Sequence, residues 1–217
     1  MQDPIESYWS LRLETCRKAL ERNNFDVFIA QTAADARRIF LQDILPGLNA
    51  HTAAWGDSLT MQATGVLDDI RRNPDMELIQ TFESGVPREM LIERRRKALL
   101  TDLFLTGTNA LTQGGQLVNL DMIGNRIGGL TFGPNHVVVL IGRNKLVADV
   151  EDAMFRIKNY VAPANAMRLD KKTPCTKTAA CEACQSPDRI CNTWTITEKA
   201  FPKGRVTIVL IDEALGI

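Results

Sequence analysis

Two kinds of hydrophobic pattern alternate along the chain. Short apolar runs bounded by turn residues predict buried β-strands, and segments in which apolar residues recur every three or four positions predict amphipathic helices. The first helix is predicted at residues 4 to 23, because Ile5, Trp9 and Leu13 begin an apolar face with helical spacing. The predicted strands are DVFIA, TAAW, ELIQTF, LFLTG, QLVNL, HVVVLIG and RVTIVLI. This alternation predicts an α/β fold with a mostly parallel sheet flanked by helices.

The domain organisation follows from the same pattern. Further helices are predicted at residues 32 to 45, 57 to 72, 87 to 99 and 149 to 160, and neither an internal repeat nor a low-complexity linker interrupts them. Composition shifts only after Ala166, where a cysteine-rich segment begins. We therefore predict a single α/β domain over residues 1–217, with a cysteine-rich, metal-binding appendage at residues 167–200 whose ends return to the sheet.

Charge and hydropathy narrow the classes of function. Lys plus Arg and Asp plus Glu number 26 each, so no net charge favours nucleic acid or a membrane surface as a partner. The densest basic run, residues 94 to 97, lies in a predicted helix and is interpreted as a solvated face. The sequence contains neither a membrane-spanning apolar stretch nor a signal-peptide pattern at MQDPIESYW. We expect a cytoplasmic protein with reduced thiols.

Four of the five cysteines lie close together near the C-terminus, with the spacing C-x5-C-x2-C-x6-C. Thiolates are the ligands that zinc and iron-sulfur clusters select, and a two-residue gap lets two sulfurs bind one centre. The alternatives are reduced structural thiols or two disulfides, and disulfides would require an oxidising compartment. The predicted metal ligands are Cys175, Cys181, Cys184 and Cys191.

The identity of the metal stays open between an iron-sulfur cluster and zinc. The spacing matches neither the ferredoxin run C-x2-C-x2-C-x3-C nor a ribbon with two C-x2-C knuckles. Nearby cations would offset the negative charge of a four-thiolate site with either metal, so they do not separate the two. These cations are Lys171, Lys172, Lys177 and Arg189.

Two segments follow predicted strands and are candidates for a ligand site, because open α/β sheets bind ligands at the carboxyl ends of strands. In the first, residues 55 to 65, a strand stops at Gly56 and a helix begins near Ser58, so backbone amides and a hydroxyl could hold an anion. The alternative is a capped helix after a tight turn.

The second segment, residues 106 to 134, contains seven of the fourteen glycines among several amide side chains. Gly114 and Gly115 are typical of a hairpin turn. Arg126 follows Gly124 and Asn125, and its guanidinium suits a carboxylate or phosphate. The alternative is a glycine-rich crossing of strands in which Arg126 forms a structural ion pair. The segment lacks the P-loop and dinucleotide-binding motifs.

The order of these segments resembles that of the LUD-domain family, the lactate utilization or DUF162 proteins. The resemblance rests on WGDS with Gly65, on LTGTNA, on the glycine turn from Gly114 to Val118, on Gly124-Asn125-Arg126 and on the strand VVVL, and it is strongest over residues 5 to 160. The tail, with KTPC, a C-x2-C pair and FPKGR, is similar to that of a single-domain subgroup with a C-terminal four-cysteine segment.

This resemblance implies a fold like that of ribose-5-phosphate isomerases, glucosamine-6-phosphate deaminases and CoA transferases. Relatives take part in lactate oxidation through a multi-subunit, iron-sulfur-containing system. No catalytic carboxylate or lysine of the isomerases or transferases matches a position here, and the chain lacks a nucleophile motif, so the catalytic residues are unknown and whether the protein is an enzyme is uncertain. The predicted ligand-binding residues are Gly56, Ser58, Gly107, Thr108, Asn109, Asn125 and Arg126.

Three functions compete. The first is a lactate-utilization-type protein, an accessory or subunit of a redox system that oxidises lactate or a similar small carboxylate, with redox partner subunits and an iron-sulfur or other metal site in the cysteine tail. The second is a binding protein or enzyme for an anionic metabolite or sugar phosphate, with structural zinc. The third is an interaction module whose apolar surfaces near Trp9 or Trp194 mediate homo-oligomerisation.

Overall fold

The structure is a computed structural model that describes residues 3–217. Within this range the chain forms ten strands. They are β1 (Asp26–Ala30), β2 (Thr52–Trp55), β3 (Glu77–Leu78), β4 (Leu103–Thr106), β5 (Ala110–Thr112), β6 (Leu117–Asp121), β7 (His136–Gly142), β8 (Leu146–Val147), β9 (Thr193–Thr197) and β10 (Val206–Ile211). Six of them form a central sheet in the order β1-β10-β7-β4-β2-β3, and every pair in it is parallel.

The central strands are buried on both faces, which explains why their sequences are almost continuously apolar. In β7, Val137 and Val139 face one hydrophobic cluster, whereas Val138 and Leu140 face the other. The first cluster is completed by the N-terminal helix and the second by the helices that follow β1 and β2. The prediction of an α/β fold with a mostly parallel sheet flanked by helices is confirmed.

The described helices are α1 (Pro4–Arg22), α2 (Ala33–Ile39), α3 (Leu59–Thr64), α4 (Val66–Arg72), α5 (Arg88–Lys97), α6 (Asn125–Thr131), α7 (Val150–Arg156), α8 (Ala162–Arg168) and α9 (Cys175–Thr178). Short 3-10 or π-helical turns extend the chain at Phe40–Ile44, Leu45–Gly47, Ala98–Leu100, Arg143–Lys145 and Ile157–Val161. Asp3 caps α1 by accepting a hydrogen bond from the Ile5 amide at 2.8 Å. None of the helices described between residues 3 and 217 has the length and hydropathy needed to cross a bilayer.

A second, four-stranded sheet in the order β8-β5-β6-β9 packs beside the first. Strands β5 and β6 form the predicted hairpin around Gly114 and Gly115, and Gly115 has a φ of +83°, which favours glycine. Strand β9 pairs antiparallel with β6, so the C-terminal part of the cysteine-rich segment is anchored to this sheet.

Three boundaries differ from the prediction, each for a local reason. The helix predicted at residues 57 to 72 is split into α3 and α4 because Gly65 adopts a φ of +77°. The predicted strand ELIQTF pairs only as Glu77–Leu78, after which the chain turns and the ring of Phe82 packs on Trp55 with centroids 4.8 Å apart. The glycine-rich segment contains the helix α6, which begins after Gly124 at a φ of +86°.

The two tryptophans proposed to mediate association both pack within their own chain. Trp9 lies partly buried against the core, with the guanidinium of Arg143 5.3 Å from its ring centroid. Trp194 packs against a small hydrophobic cluster beneath α7, with the ammonium of Lys158 6.0 Å from its ring. The buried residues of this cluster beneath α7 are Ala110, Val118, Leu120, Ala153, Ile157 and Val161. Homo-oligomerisation through these segments stays a prediction.

Candidate ligand-binding site

A cavity of about 430 Å³ lies at the carboxyl ends of β2, β4 and β7, which are neighbours in the central sheet. This is the edge at which open α/β sheets bind ligands. Six of the seven residues predicted to bind a ligand line it: Ser58, Gly107, Thr108, Asn109, Asn125 and Arg126. They come from three separate stretches of the chain, and the parallel topology brings them together. Ligand binding by these residues stays a prediction.

Arg126 is the organising side chain of the cavity wall and is only 9% exposed. Its Nη1 donates to the carbonyl of Gly107 at 3.2 Å and to Oδ1 of Asn119 at 2.5 Å. Its Nη2 donates to Oδ1 of Asn109 at 2.9 Å and to the carbonyl of Leu120 at 3.5 Å. The guanidinium therefore ties β4 to β6, because most of its hydrogens already have acceptors in the protein.

The positive charge of Arg126 has carboxylates nearby but none within hydrogen-bond distance among the described residues. Burial lowers the pKa of its guanidinium, and the carboxylates of Asp121 and Asp57 act in the opposite direction. The nearest of these, Asp121, has Oδ1 3.9 Å from Nε. An arginine stays protonated under any ordinary condition, so the cavity wall carries a buried positive charge whose described ion pair, with Asp121, is a long one.

Two glycines make room for this arrangement. A Cβ at Gly56 would lie 2.8 Å from Cγ of Arg126 and 2.9 Å from Oγ1 of Thr106. A Cβ at Gly107 would collide with the hydroxyl of Ser58. Gly56 does not line the cavity itself. Its lack of a side chain leaves space for the aliphatic part of the Arg126 side chain.

The remaining predicted residues combine structural contacts with a position on the cavity wall. Ser58 caps α3, since its hydroxyl accepts a hydrogen bond from the Met61 amide at 3.3 Å. The hydroxyl of Thr108 donates to the carbonyl of Ala110 at 3.0 Å. The Asn109 side-chain oxygen also accepts from the Leu120 amide at 2.9 Å. The TGTNA segment thus ties β4, β5 and β6 together while it faces the cavity.

Sequence reasoning missed Lys145, which lies in the turn after β7 and also lines the cavity. It is 4% exposed, and its Nζ donates to the carbonyl of Thr108 at 3.1 Å. Burial, together with the positive charges of Arg156 and Arg126, lowers the pKa of its ammonium to about 7. The sequence signal that could have identified it is its position in the turn after HVVVLIG, the most apolar predicted strand, since the other candidate residues also follow strands.

Cations also form the rim. Arg95 on α5 donates from Nε to the carbonyl of Thr81 at 3.2 Å and lies 4.6 Å from the centroid of the Phe82 ring. Arg168 on α8 forms an ion pair with Asp57. Among residues 3–217, six basic side chains and two carboxylates line the cavity. The basic residues are Arg88, Arg95, Arg126, Lys145, Arg168 and Lys171, and the carboxylates are Asp57 and Asp121. The excess of positive charge suits a small anion.

The four cysteines predicted to bind a metal do not form a compact cluster in the described part of the chain. Between residues 3 and 217, no group of three or more His, Cys, Asp or Glu side chains lies close enough to hold a metal ion. Cys175 contacts the hydroxyl of Thr173 at 3.2 Å, whereas Cys191 packs against the cluster beneath α7. Thiolates suit zinc or iron, but as folded the segment does not present its sulfurs as one ligand set. The four-cysteine metal site stays a prediction.

Hydrogen bonds between side chains and backbone organise the cysteine-rich segment instead. Arg189 donates from Nε to the carbonyl of Cys191 and from Nη1 to that of Cys184, both at 2.9 Å. The Lys172 amide donates to Asp188 at 3.0 Å. The segment also contributes to the cavity, because Lys171 and Ile190 are part of its lining.

The fold and the cavity define an α/β protein with a cationic ligand site at the carboxyl ends of a parallel sheet. Residues 13–211 match the LUD domain, so the chain belongs to the LUD-domain family, as predicted. No curated protein matched the chain.

Two solved structures are similar. The crystal structure of a DUF162 family protein from Deinococcus radiodurans aligns with a TM-score of 0.52 and 12% identity over 94% of this chain and 98% of that chain. At this identity the likeness concerns the fold alone. The structure of eIF2B delta from Chaetomium thermophilum aligns with a TM-score of 0.29 and 12% identity over 66% of this chain and 50% of that one, which is too weak to support an inference.

Proposed function

We propose that the cavity binds a small carboxylate and that the protein serves lactate utilization, as a subunit or accessory of a system that oxidises lactate or a similar acid. The observation that carries this proposal is the excess of basic over acidic side chains: six basic side chains and two carboxylates among the described residues line about 430 Å³. The association of the LUD-domain family with lactate utilization supports the same class of ligand. In this function the partners are redox subunits, which supply or accept the electrons.

The size and placement of the cavity support a small ligand. Ligand pockets are commonly several hundred Å³ with a few convergent polar groups, and the cavity falls at the lower end of that range. Apolar side chains such as Leu91 and Ile92 of α5, both half-buried, form part of its lining. A carboxylate that leaves bulk water for a site among cations gains more from each charge-assisted hydrogen bond than it would in water.

The polar groups that are free to contact a ligand are distinct from those that hold the wall. Arg126 uses its hydrogens on protein acceptors, so it contributes charge and shape more than new hydrogen bonds. Arg95 donates only from Nε to the carbonyl of Thr81 among the described contacts of its guanidinium. Its Nη groups are therefore the better donors to a bound carboxylate.

Isothermal titration calorimetry with lactate tests the proposal. We expect lactate to bind the wild-type protein and Arg95→Gln to weaken that binding by about tenfold, since a charge-assisted hydrogen bond is lost. Arg96→Gln is the matched control, because Arg96 is the next residue of the same helix, its side chain is 70% exposed and it does not line the cavity. Absence of binding by lactate and by other small carboxylates, or equal weakening by both variants, would contradict the proposal.

A sugar phosphate in the same titration separates the first function from the second. Ribose 5-phosphate carries more negative charge than lactate and would also be attracted by the cavity. If it binds while lactate and other small carboxylates do not, the anionic-metabolite function on the isomerase-like fold replaces the lactate-utilization function.

A further inference from the structure

Lys145 is the most unusual titratable group in the cavity. It follows β7 in the turn Arg143–Lys145, and its side chain is buried in the cavity wall with Nζ 3.1 Å from the carbonyl of Thr108. That carbonyl is the only hydrogen-bond partner of Nζ among the described residues, although an ammonium has three hydrogens to donate. A buried ammonium usually has a carboxylate beside it.

The charges around Lys145 have the opposite sign. The groups that act on it are Arg156, whose Nη1 donates to the Asn109 carbonyl at 2.9 Å, and Arg126. No described carboxylate forms an ion pair with Nζ. Burial and these two cations lower the pKa of Lys145 to about 7. The fraction present as a neutral amine at pH 7 is then larger than that of an ordinary exposed lysine by roughly a thousandfold.

A neutral amine on the wall of a ligand cavity is a nucleophile toward carbonyl carbon. An alcohol such as lactate offers it nothing to attack, whereas a 2-oxo carboxylate combines a carbonyl with the negative charge that the surrounding cations attract. The cavity therefore suits the oxidised member of a hydroxy acid and oxo acid pair in a way that the reduced member cannot share.

We propose that Lys145 condenses with the carbonyl group of a 2-oxo carboxylate to form an imine within the cavity. The amine nitrogen attacks the carbonyl carbon to give a carbinolamine, and loss of the hydroxyl with a proton, as water, leaves the C=N bond. The step needs no oxidant and is reversible by hydrolysis. The hydroxyl of Ser58 and the amide of Asn109 lie on the same wall and are the polar groups available to the carbonyl oxygen. This proposal rests on the proposed function of the cavity as a carboxylate site.

Reductive trapping tests it on the native protein. We expect pyruvate followed by borohydride to leave a stable secondary amine on Lys145, and the same treatment with lactate to leave none. Trypsin does not cleave after an alkylated lysine, so mass spectrometry should find the uncleaved peptide of residues 144 to 156 with the added mass. Modification of Lys145 should exceed that of the exposed Lys18 by about tenfold or more, because more of it is unprotonated at pH 7.

Two variants locate the reaction. Lys145→Met should abolish the adduct, since it replaces the amine with an apolar side chain of similar length. Lys18→Met is the control, because Lys18 is exposed on α1 and does not line the cavity, so this variant should retain the adduct on Lys145. The trapping pattern on the wild-type protein decides the question even if a variant folds poorly. Modification spread evenly over the lysines, or absent from Lys145, overturns the imine.

Calorimetry with pyruvate separates the two proposals. Binding of pyruvate without a trapped adduct would overturn the imine and leave the carboxylate site in place. Neither binding nor an adduct, for pyruvate and lactate alike, would overturn both.

Discussion

The strand-end cavity and the cysteine-rich segment contain the two groups of residues that the sequence predicts to bind a ligand or a metal. The two groups differ in how far apart their residues lie along the chain. The cavity collects Ser58, Asn109, Arg126 and Lys145 from distant parts of the chain, because parallel strands end at one edge. The four cysteines lie within residues 175 to 191, yet no group of three metal-ligating side chains forms in the described part of the chain. In this fold, residues at the ends of neighbouring strands share one cavity, whereas cysteines that are close in sequence do not form one ligand set among the described residues.

The interactions that hold the two regions differ as well. In the cavity, a nearly buried guanidinium satisfies the oxygens of two asparagine side chains and the carbonyl of Gly107. In the cysteine-rich segment, Arg189 makes a similar pair of bonds to backbone carbonyls, but at a more exposed position. Substituting these two arginines is expected to give the largest difference in the free energy of unfolding between the two regions.

Arg126→Ala should destabilise the protein by about 3 to 5 kcal/mol, because it removes several buried hydrogen bonds and leaves their acceptors without donors. Arg189→Ala should cost about 1 kcal/mol, since water can replace its bonds. Urea denaturation of both variants measures the difference. Equal losses would mean that the cysteine-rich segment is as tightly built as the cavity.

Gly107→Ala tests the close packing of the cavity wall. The new methyl would collide with the Ser58 hydroxyl and lie 3.4 Å from the Leu140 carbonyl, so we expect a loss of about 1 to 3 kcal/mol. Gly47→Ala is the matched control, because nothing lies within 4 Å of a Cβ there, and its effect should stay within about 0.5 kcal/mol. Thermal or urea unfolding measures both variants. Equal losses of stability would contradict the close packing around Gly107.

Lys145→Met should change how stability depends on pH. The folded-state pKa of Lys145 is depressed to about 7, whereas the unfolded amine keeps the value of 10.5. Between these values the unfolded state binds more protons, so the wild type gains stability relative to the variant as pH rises, by up to about 1.4 kcal/mol per pH unit. Below pH 7 the cost of the buried charge is fully present. Denaturation at pH 7, 8 and 9 measures the slope, and parallel curves would show that Lys145 is not perturbed.

The smallest effect on stability is expected in the cysteine-rich segment. In metal-free protein, Cys184→Ser should change the free energy of unfolding by about 0.5 kcal/mol or less, because Cys184 is partly exposed. Cys16→Ser should cost about 1 to 3 kcal/mol, since Cys16 is fully buried in the apolar core and the one described hydrogen-bond partner of its thiol is the Thr112 carbonyl, at 3.6 Å.

The same cysteine variant tests the metal site. A four-cysteine centre predicts stoichiometric iron or zinc in protein purified without oxygen and loss of most of that metal in Cys184→Ser. Elemental analysis with an absorption spectrum distinguishes a coloured iron-sulfur centre from colourless zinc. Metal-free protein, or metal content unchanged in the variant, would remove the prediction.

Most of the central sheet could be predicted because its strands are buried on both faces and read as uninterrupted apolar runs, as in Val137 to Ile141. Strands β5 and β8 were not predicted because they are only three and two residues long. Such short strands are recognised by their pairing, β5 with β6 and β8, which the sequence does not show. The helix α6 was missed because Gly128 and Gly129 lower helix propensity, and only the structure shows that Gly129 lies where a Cβ would meet the Phe104 ring.

The candidate site was predicted from polar residues that follow strands, and six of the seven predicted residues line one cavity, although ligand binding by them stays a prediction. Lys145 was missed because its burial depends on how the turn after β7 packs beneath Thr108, which no local pattern reveals. Arg95 was assigned to a solvated helix face, whereas it lines the cavity and its neighbours Arg96 and Lys97 are exposed. Tertiary placement of a charged helix depends on contacts that its own sequence does not encode.

The most direct test of the carboxylate site is a crystal structure of the protein grown with lactate at a saturating concentration. We expect density for the carboxylate in the cavity between the ends of β4 and β7, within hydrogen-bond distance of Arg95 or Lys145. An empty cavity at saturation, or lactate bound only elsewhere on the protein, would contradict the proposal that this cavity is the ligand site.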